Sequence, residues 1–376
     1  MNEPQTPLSP LSHIPANVFC AQDYEFLAQR FIAAPSFAYI AGGSAHDVTL
    51  AANREAFAEL SIVPRLLRDV THGHTRLELL GQPMPHPVLL APVAFQTLAH
   101  PRGELDTARG AAAMEACVVS STLSSYPLED IARTGGPARW FQLYLQPDRE
   151  ITLDLLRRAE AAGYRAIVVT LDAAVQRPSL RALRAGFQMP PHCTPANLQG
   201  YPVPEAAPGA GQSPVFQGLM RAAPTQDDLA WLLEQTILPV LVKGVLHPDD
   251  ARALQTMGVA GLVISNHGGR ALDGAPATLR MLPAIRAAVG DGYPLLLDGG
   301  IRSGTDIFKA IAQGADAVMI GRLQVYALSV AGALGVAHML RLLREELEAC
   351  MAMAGCATLA DIRQASLIPQ REEPSC

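Results

Sequence analysis

Short apolar blocks recur along the chain, each handing over to a stretch with helical spacing. The blocks are "PVLLAP" (Pro87–Pro92), "ACVVSST" (Ala116–Thr122), "RWFQLYL" (Arg139–Leu145), "RAIVVTLD" (Arg165–Asp172), "PVLVKGV" (Pro239–Val245), "AGLVISNH" (Ala260–His267), "YPLLLDGG" (Tyr293–Gly300) and "AVMIG" (Ala317–Gly321). Continuous rather than alternating apolar character suits strands buried on both faces. The intervening "DLLRRAEAAG" (154–163) and "GTDIFKAIAQG" (304–314) read as amphipathic helices closed by glycine. Strands alternating with helices imply βαβ units and a parallel sheet. Eight such units predict an α/β fold, a (β/α)8 TIM barrel spanning about 87–350, after a short N-terminal helical extension. A doubly wound open sheet is the rival, but no GxGxxG follows an early strand.

A barrel of this type carries its reactive groups at the C-terminal ends of its strands. Those ends read Pro92 with Val93 and Ala94, Ser121 with Thr122, Gln142 with Tyr144, Thr170 with Asp172, Lys243, Ser265 with His267 and Arg270, Asp298–Arg302, and Gly321 with Arg322. Each has an ordinary explanation taken singly. Lys243 could snorkel, Asp172 could cap a helix, and "DGG" could be a turn. Together they place a histidine, an arginine, a lysine and an aspartate around one barrel mouth, which calls for a ligand. "DGGIRSG" after the seventh block and "IGR" after the eighth add glycine N–H groups and two arginines, where such barrels often hold a phosphate.

Composition narrows the ligand. The 376 residues are 49% apolar, with 29 basic against 35 acidic side chains. That balance has no basic block and no aromatics interleaved with Lys or Arg, so no nucleic-acid partner is expected. Six cysteines (Cys20, Cys117, Cys193, Cys350, Cys356, Cys376) form no CxxC pair. Reduced thiols, no metal centre and a cytoplasmic location are the expectation. The proline-rich start "MNEPQTPLSPLSHIPANVFC" lacks the basic and apolar regions of a signal peptide, and no uninterrupted transmembrane stretch is expected.

Several motifs in order, "SNHGGRALDG", "LLDGGIRSGTDIFKAIAQGADAVMIGR", "APVAFQTLAHPRGE", "FQLYLQPDR", "RRAEAAGYRAIVVTLD", "PRLLRDV" and "MAMAGC", make the chain resemble the FMN-dependent α-hydroxy acid oxidase and dehydrogenase family. The likeness runs from about Asp23 to Ile368, consistent with one FMN hydroxy acid dehydrogenase domain over 1–376. It implies oxidation of a small (S)-2-hydroxy acid to the 2-oxo acid by bound FMN, the flavin then being re-oxidised by oxygen or another acceptor. It also implies a homotetramer. By resemblance His267 takes the substrate proton, Asp172 holds that histidine, and Arg270 grips the carboxylate. Tyr39 and Tyr144 bind carboxylate and hydroxyl, and Lys243 sits at the flavin's pyrimidine edge. The flavin would rest on Pro92, Val93 and Ala94 with Ser121, Gln142, Thr170 and Ser265 around it. Its phosphate would meet Asp298, Gly299, Gly300, Ile301, Arg302, Gly321 and Arg322.

Two positions depart from the family. Ser179 stands where a second arginine is usual, seven residues beyond Asp172, with Arg177 and Arg181 on either side. Leu123 stands where glycolate oxidase has a tryptophan, which predicts room for acids bulkier than glycolate. The segment 189–217, rich in proline and glycine, reads as a long active-site loop acting as a mobile lid. Two other functions stay open: an FMN barrel reaction without net redox change, such as isomerisation, and a flavin-binding member whose catalysis Ser179 impairs.

Overall fold

A computed structural model describes residues 6–175, 179–202 and 211–370. Eight short strands close into a barrel: β1 (Val88–Leu90), β2 (Val118–Ser121), β3 (Arg139–Leu143), β4 (Ile167–Thr170), β5 (Val240–Val245), β6 (Gly261–Ile264), β7 (Leu295–Leu297) and β8 (Ala317–Ile320). Every neighbouring pair is parallel, and β8 meets β1 in the register Val318 to Val88, Met319 to Leu89 and Ile320 to Leu90. Each strand lies inside one of the apolar blocks, so the open-sheet alternative falls.

The continuous apolar runs have a simple cause, since successive side chains of a strand point to opposite faces. Leu89, Val119, Val168, Leu241, Val263, Leu296 and Met319 form one buried cluster together with Trp140. The alternate residues, among them Leu90, Val118, Val242, Ile264, Leu297 and Val318, join a second cluster with the surrounding helices. A hairpin of Leu77–Leu79 and Gln82–Met84 joins the first cluster through Leu79 and Met84. The Trp140 indole donates to Gln82 Oε1 at 3.2 Å, so the one polar atom of that ring is satisfied inside the core.

The barrel helices are α1 (Gly103–Ala113), α2 (Leu128–Thr134), α3 (Arg149–Ala161), α4 (Gln226–Glu234), α5 (Pro248–Thr256), α6 (Thr278–Val289), α7 (Gly304–Ala312) and α8 (Arg322–Ala354). Local chemistry fixes their starts. Thr225 with Asp228 and Ser303 with Asp306 form capping boxes, and Pro248 opens α5 where its missing N–H costs nothing. The barrel's last helix ends at Ala354, slightly beyond the boundary expected from sequence. By length and composition α8 could cross a membrane, yet 78% of its most apolar window is buried. It packs on α1 and α7 and bends at Ala331 and Gly332, so it is a core helix among the described residues.

The N-terminal extension is helical as expected, at Asp23–Ala28, Ala34–Ala41 and Val48–Ala58. A strand at Leu60–Ile62 pairs antiparallel with Leu367–Pro369 and ties the end of the N-terminal extension to the last described residues. Within 189–217, residues 203–210 lie outside the described residues. The part before them is anchored: buried Asn197 donates to the carbonyls of Ser121 and Thr122 and accepts from the Leu128 N–H at 2.8 Å.

Candidate active site

One cavity opens at the C-terminal ends of the strands, lined by Tyr39, Pro92, Val93, Ala94, Ser121, Gln142, Tyr144, Thr170, Lys243, His267, Arg270, Asp298, Gly299, Gly300, Ile301, Arg302, Gly321 and Arg322. Sequence-expected groups from all eight strand ends therefore meet in one place. Asp172 and Ser265 do not line the wall; both stand one layer behind it, bonded to residues that do.

The turn after β6 aims the histidine. His267 has a positive φ of 58°, followed by Gly268 and Gly269 at 62° and 77°. A left-handed non-glycine residue is uncommon and stays in place only when its surroundings hold it. The Ser265 hydroxyl accepts from the His267 N–H at 3.0 Å, and Asn266 exchanges amide hydrogen bonds with Asn53 at 2.8 Å. Behind the ring, Asp172 Oδ1 lies 2.9 Å from His267 Nδ1. With Nδ1 donating to the carboxylate, Nε2 is left free to accept a proton. Burial alone would raise the Asp172 pKa, but Lys243 and His267 reverse this and hold it below the ordinary aspartate value.

Lys243, on β5, is 3% exposed. Its Nζ lies 3.1 Å from Asp298 Oδ2 and donates to Ser265 Oγ at 2.9 Å. Burial opposes its charge, yet Asp298, Asp172 and Tyr144 outweigh that penalty and raise its pKa. The lysine is thus a fixed cation between two carboxylates. Burial pushes Tyr144 up to about 12, which keeps its hydroxyl a neutral donor near neutral pH.

Another part of the cavity wall is built on the C-terminal end of the Ala34–Ala41 helix. Arg270 donates to the carbonyls of Tyr39 (2.7 Å) and Gly42 (3.1 Å), with its guanidinium carbon 4.8 Å from the Tyr39 ring centroid. Arg322 donates to Ile40, Gly268 and Gly42 carbonyls at 2.8–3.0 Å. Cations belong at this end of a helix, where carbonyls lack intrahelical partners. Burial, then Arg270, lowers the Arg322 pKa to about 10. Arg302 also lines the cavity, but its Nε is committed to Glu25 at 3.0 Å.

Ser179 supplies no cation. It caps the short helix Leu180–Arg184, accepting from the Arg181 N–H at 3.2 Å, and packs against Gly42. Arg181 pairs with Asp47 at 2.6 Å, outside the cavity wall, and Arg177 lies outside the described residues. Sequence reading missed Asn53, Asn266, Glu25 and Phe187. All act through partners far away in the chain, and only Asn266, inside "SNHGGR", carried a local signal.

This barrel with these strand-end groups defines a flavin-dependent enzyme class: residues 28–369 match the model of the FMN-dependent dehydrogenase family, and the chain belongs to it. It is 66% identical to an L-lactate oxidase of Alicycliphilus denitrificans, across 96% of this chain and all of that one. It is 38% identical to the glycolate oxidase of Spinacia oleracea, covering 94% and 96% of the two chains. A solved mandelate oxidase superposes with a TM-score of 0.85 at 41% identity, covering 93% and 98%. The chain is accordingly an FMN-dependent 2-hydroxy acid oxidase with FMN as its cofactor.

The cavity fits that cofactor. Gln142 Nε2 and Thr170 Oγ1 are buried polar atoms with no partner among the described residues, and orphaned groups of this kind require a ligand or water. The Gln142 carbonyl oxygen is already held by Ser121 Oγ at 3.1 Å, which leaves the amide nitrogen for the ligand. At Gly321 an added Cβ would meet nothing within 4 Å, so open space lies against the backbone at the start of α8.

Proposed function

We propose that the chain oxidises L-lactate and longer (S)-2-hydroxy acids to 2-oxo acids, with oxygen as the electron acceptor. The observation that carries this reading is the His267–Asp172 pair at 2.9 Å, in one cavity with Arg270, Tyr39 and Tyr144. The names of the oxidase relatives and the presence of Leu123, not a large aromatic, in the cavity wall support substrate and acceptor. FMN when bound supplies the two-electron acceptor for the α-carbon.

The protein's residues do the rest. Arg270 keeps Nη1 on the Tyr39 and Gly42 carbonyls and offers its other nitrogens to the substrate carboxylate, a planar match of donors to oxygens. Tyr144, a neutral donor, orients the hydroxyl. His267 Nε2 removes one proton, from the α-carbon or from the hydroxyl, and the Asp172 carboxylate stabilises the charge that arrives on the ring. Lys243 would hold positive charge beside the bound cofactor, and Gln142 Nε2 and Thr170 Oγ1, buried without partners, would hydrogen-bond to it. Gly299, Gly300, Gly321 and the arginines Arg302 and Arg322 form the phosphate end.

Residues 1–376 act as one unit in this reading. A homotetramer accompanies it on family resemblance alone, and a cytoplasmic location is supported by the five unpaired cysteines among the described residues. The test is the visible spectrum of the purified protein, taken anaerobically with L-lactate, (S)-mandelate and glycolate in turn, then in air. L-lactate should bleach the flavin band, with colour returning rapidly on aeration. A clear preference for glycolate would refute the assignment of substrate size. A flavin that no 2-hydroxy acid bleaches would favour the non-redox or impaired alternatives, and slow recovery in air would point to another acceptor.

A further inference from the structure

Phe187 stacks on Tyr39 with ring centroids 4.4 Å apart and planes inclined by 12°. The same Tyr39 ring is in contact with the Arg270 guanidinium. Phe187 does not line the cavity. It is half-buried among exposed neighbours Arg184, Ala185, Gly186 and Gln188. A left-handed glycine, Gly186 at φ 68°, turns the backbone there, and the Phe187 N–H returns to the Ala182 carbonyl at 3.0 Å. The segment bearing Phe187 is itself fastened to the Tyr39 side of the site, by the Arg181–Asp47 ion pair and by Ser179 against Gly42.

We propose that Phe187 is a positioning residue: it fixes the Tyr39 ring beside Arg270 so that the tyrosine meets the substrate carboxylate without reorganising. The inference rests on the 2-hydroxy acid reading of the cavity. A tyrosine ring half-exposed at a cavity mouth would otherwise rotate about two torsions, and ordering it would weaken binding. Offset stacking supplies the restraint directly, and the partner comes from the loop after β4 that also carries Asp172. The chemical step uses His267 and Asp172, which are held by other bonds, so the effect belongs to binding.

The holoenzyme tests this through F187L, F187Y, Y39L and the F187L/Y39L double variant. Two readouts serve: KM and kcat for L-lactate, and the Kd of pyruvate from perturbation of the flavin band. With a stacked pair contributing as aromatic pairs do, F187L should raise both KM and Kd roughly three- to tenfold with kcat within about twofold. F187Y should restore both to within about twofold, and in the Y39L background F187L should change them by less than about 1.5-fold. An equal effect of F187L with and without the Tyr39 ring, or unchanged binding in F187L, would overturn the proposal. A wild type that no 2-hydroxy acid reduces would overturn the functional reading and this inference with it, whereas normal wild-type turnover with unchanged F187L binding overturns the inference alone.

Discussion

Replacing Asp172 by asparagine isolates charge from geometry. An asparagine carbonyl can still accept from His267 Nδ1 at the observed 2.9 Å, so the ring keeps its orientation and only the negative charge is lost. A hydrogen bond to a charged group contributes about 1.5–3 kcal/mol where a neutral one contributes about 0.5–1.5 kcal/mol. The Asp172 side chain is only 9% exposed, and poor screening puts the difference at the upper end, about 2–2.5 kcal/mol. Because charge on His267 appears only as the proton transfers, the whole difference falls on the barrier, which corresponds to roughly 30- to 70-fold. The assay is anaerobic stopped-flow reduction of the flavin by L-lactate. The reduction rate should fall by that factor while KM moves only a few-fold, since Asp172 stands behind the cavity wall and does not reach the carboxylate. A D172N enzyme reduced within about threefold of the wild-type rate would refute the role given to the charge.

Three further outcomes are expected. Leu123→Trp should narrow the cavity and lower kcat/KM for 2-hydroxy acids longer than lactate relative to glycolate by roughly ten- to hundredfold, at 1–3 kcal/mol per misfitted group; an unchanged ratio of the two kcat/KM values would count against Leu123 as a size filter. Gly321→Ala should leave the melting temperature of the apoprotein almost unchanged, because its Cβ meets nothing within 4 Å, yet weaken FMN binding at least roughly tenfold by filling the phosphate end; equal FMN Kd values would place the phosphate elsewhere. The Asp172 pKa is depressed in the folded protein. Its contribution to stability is therefore fully present above the ordinary aspartate value of about 3.9 and lost as pH falls through the lower folded value, so in urea titrations the gap between wild type and D172N should be constant above about pH 5 and shrink progressively as pH falls below about 4.

The barrel was legible because its strands are buried on both sides: the apolar blocks around Leu89, Val168, Val263 and Leu296 mark them without ambiguity of face. The strand ends were legible because a polar group following such a block has nowhere to go but the mouth. The layering behind the wall was not. Whether Ser265 faces the cavity or lies under Lys243 depends on one turn of backbone at Gly268 and Gly269. Contacts such as Asn53 to Asn266, Glu25 to Arg302 and Phe187 to Tyr39 join segments about 150–280 residues apart, and nothing local announces them. Within 189–217, read as a mobile lid, Asn197 makes three side-chain hydrogen bonds that tie the first part of the loop to β2 and α2, and no local pattern singles that residue out.

The placement of charge around the cavity has a consequence for how anything enters it. Lys243 stands between Asp172 and Asp298, so that quarter carries one cation against two anions. Arg270 and Arg322 instead donate to neutral backbone carbonyls. With Lys243 and Arg322 given to the cofactor, Arg270 is the cation left for the carboxylate of an incoming acid. A molecule with an anionic end and a neutral reactive end is drawn carboxylate-first towards Arg270, and the reversed pose would set its carboxylate against the buried Asp172 carboxylate, two like charges that repel.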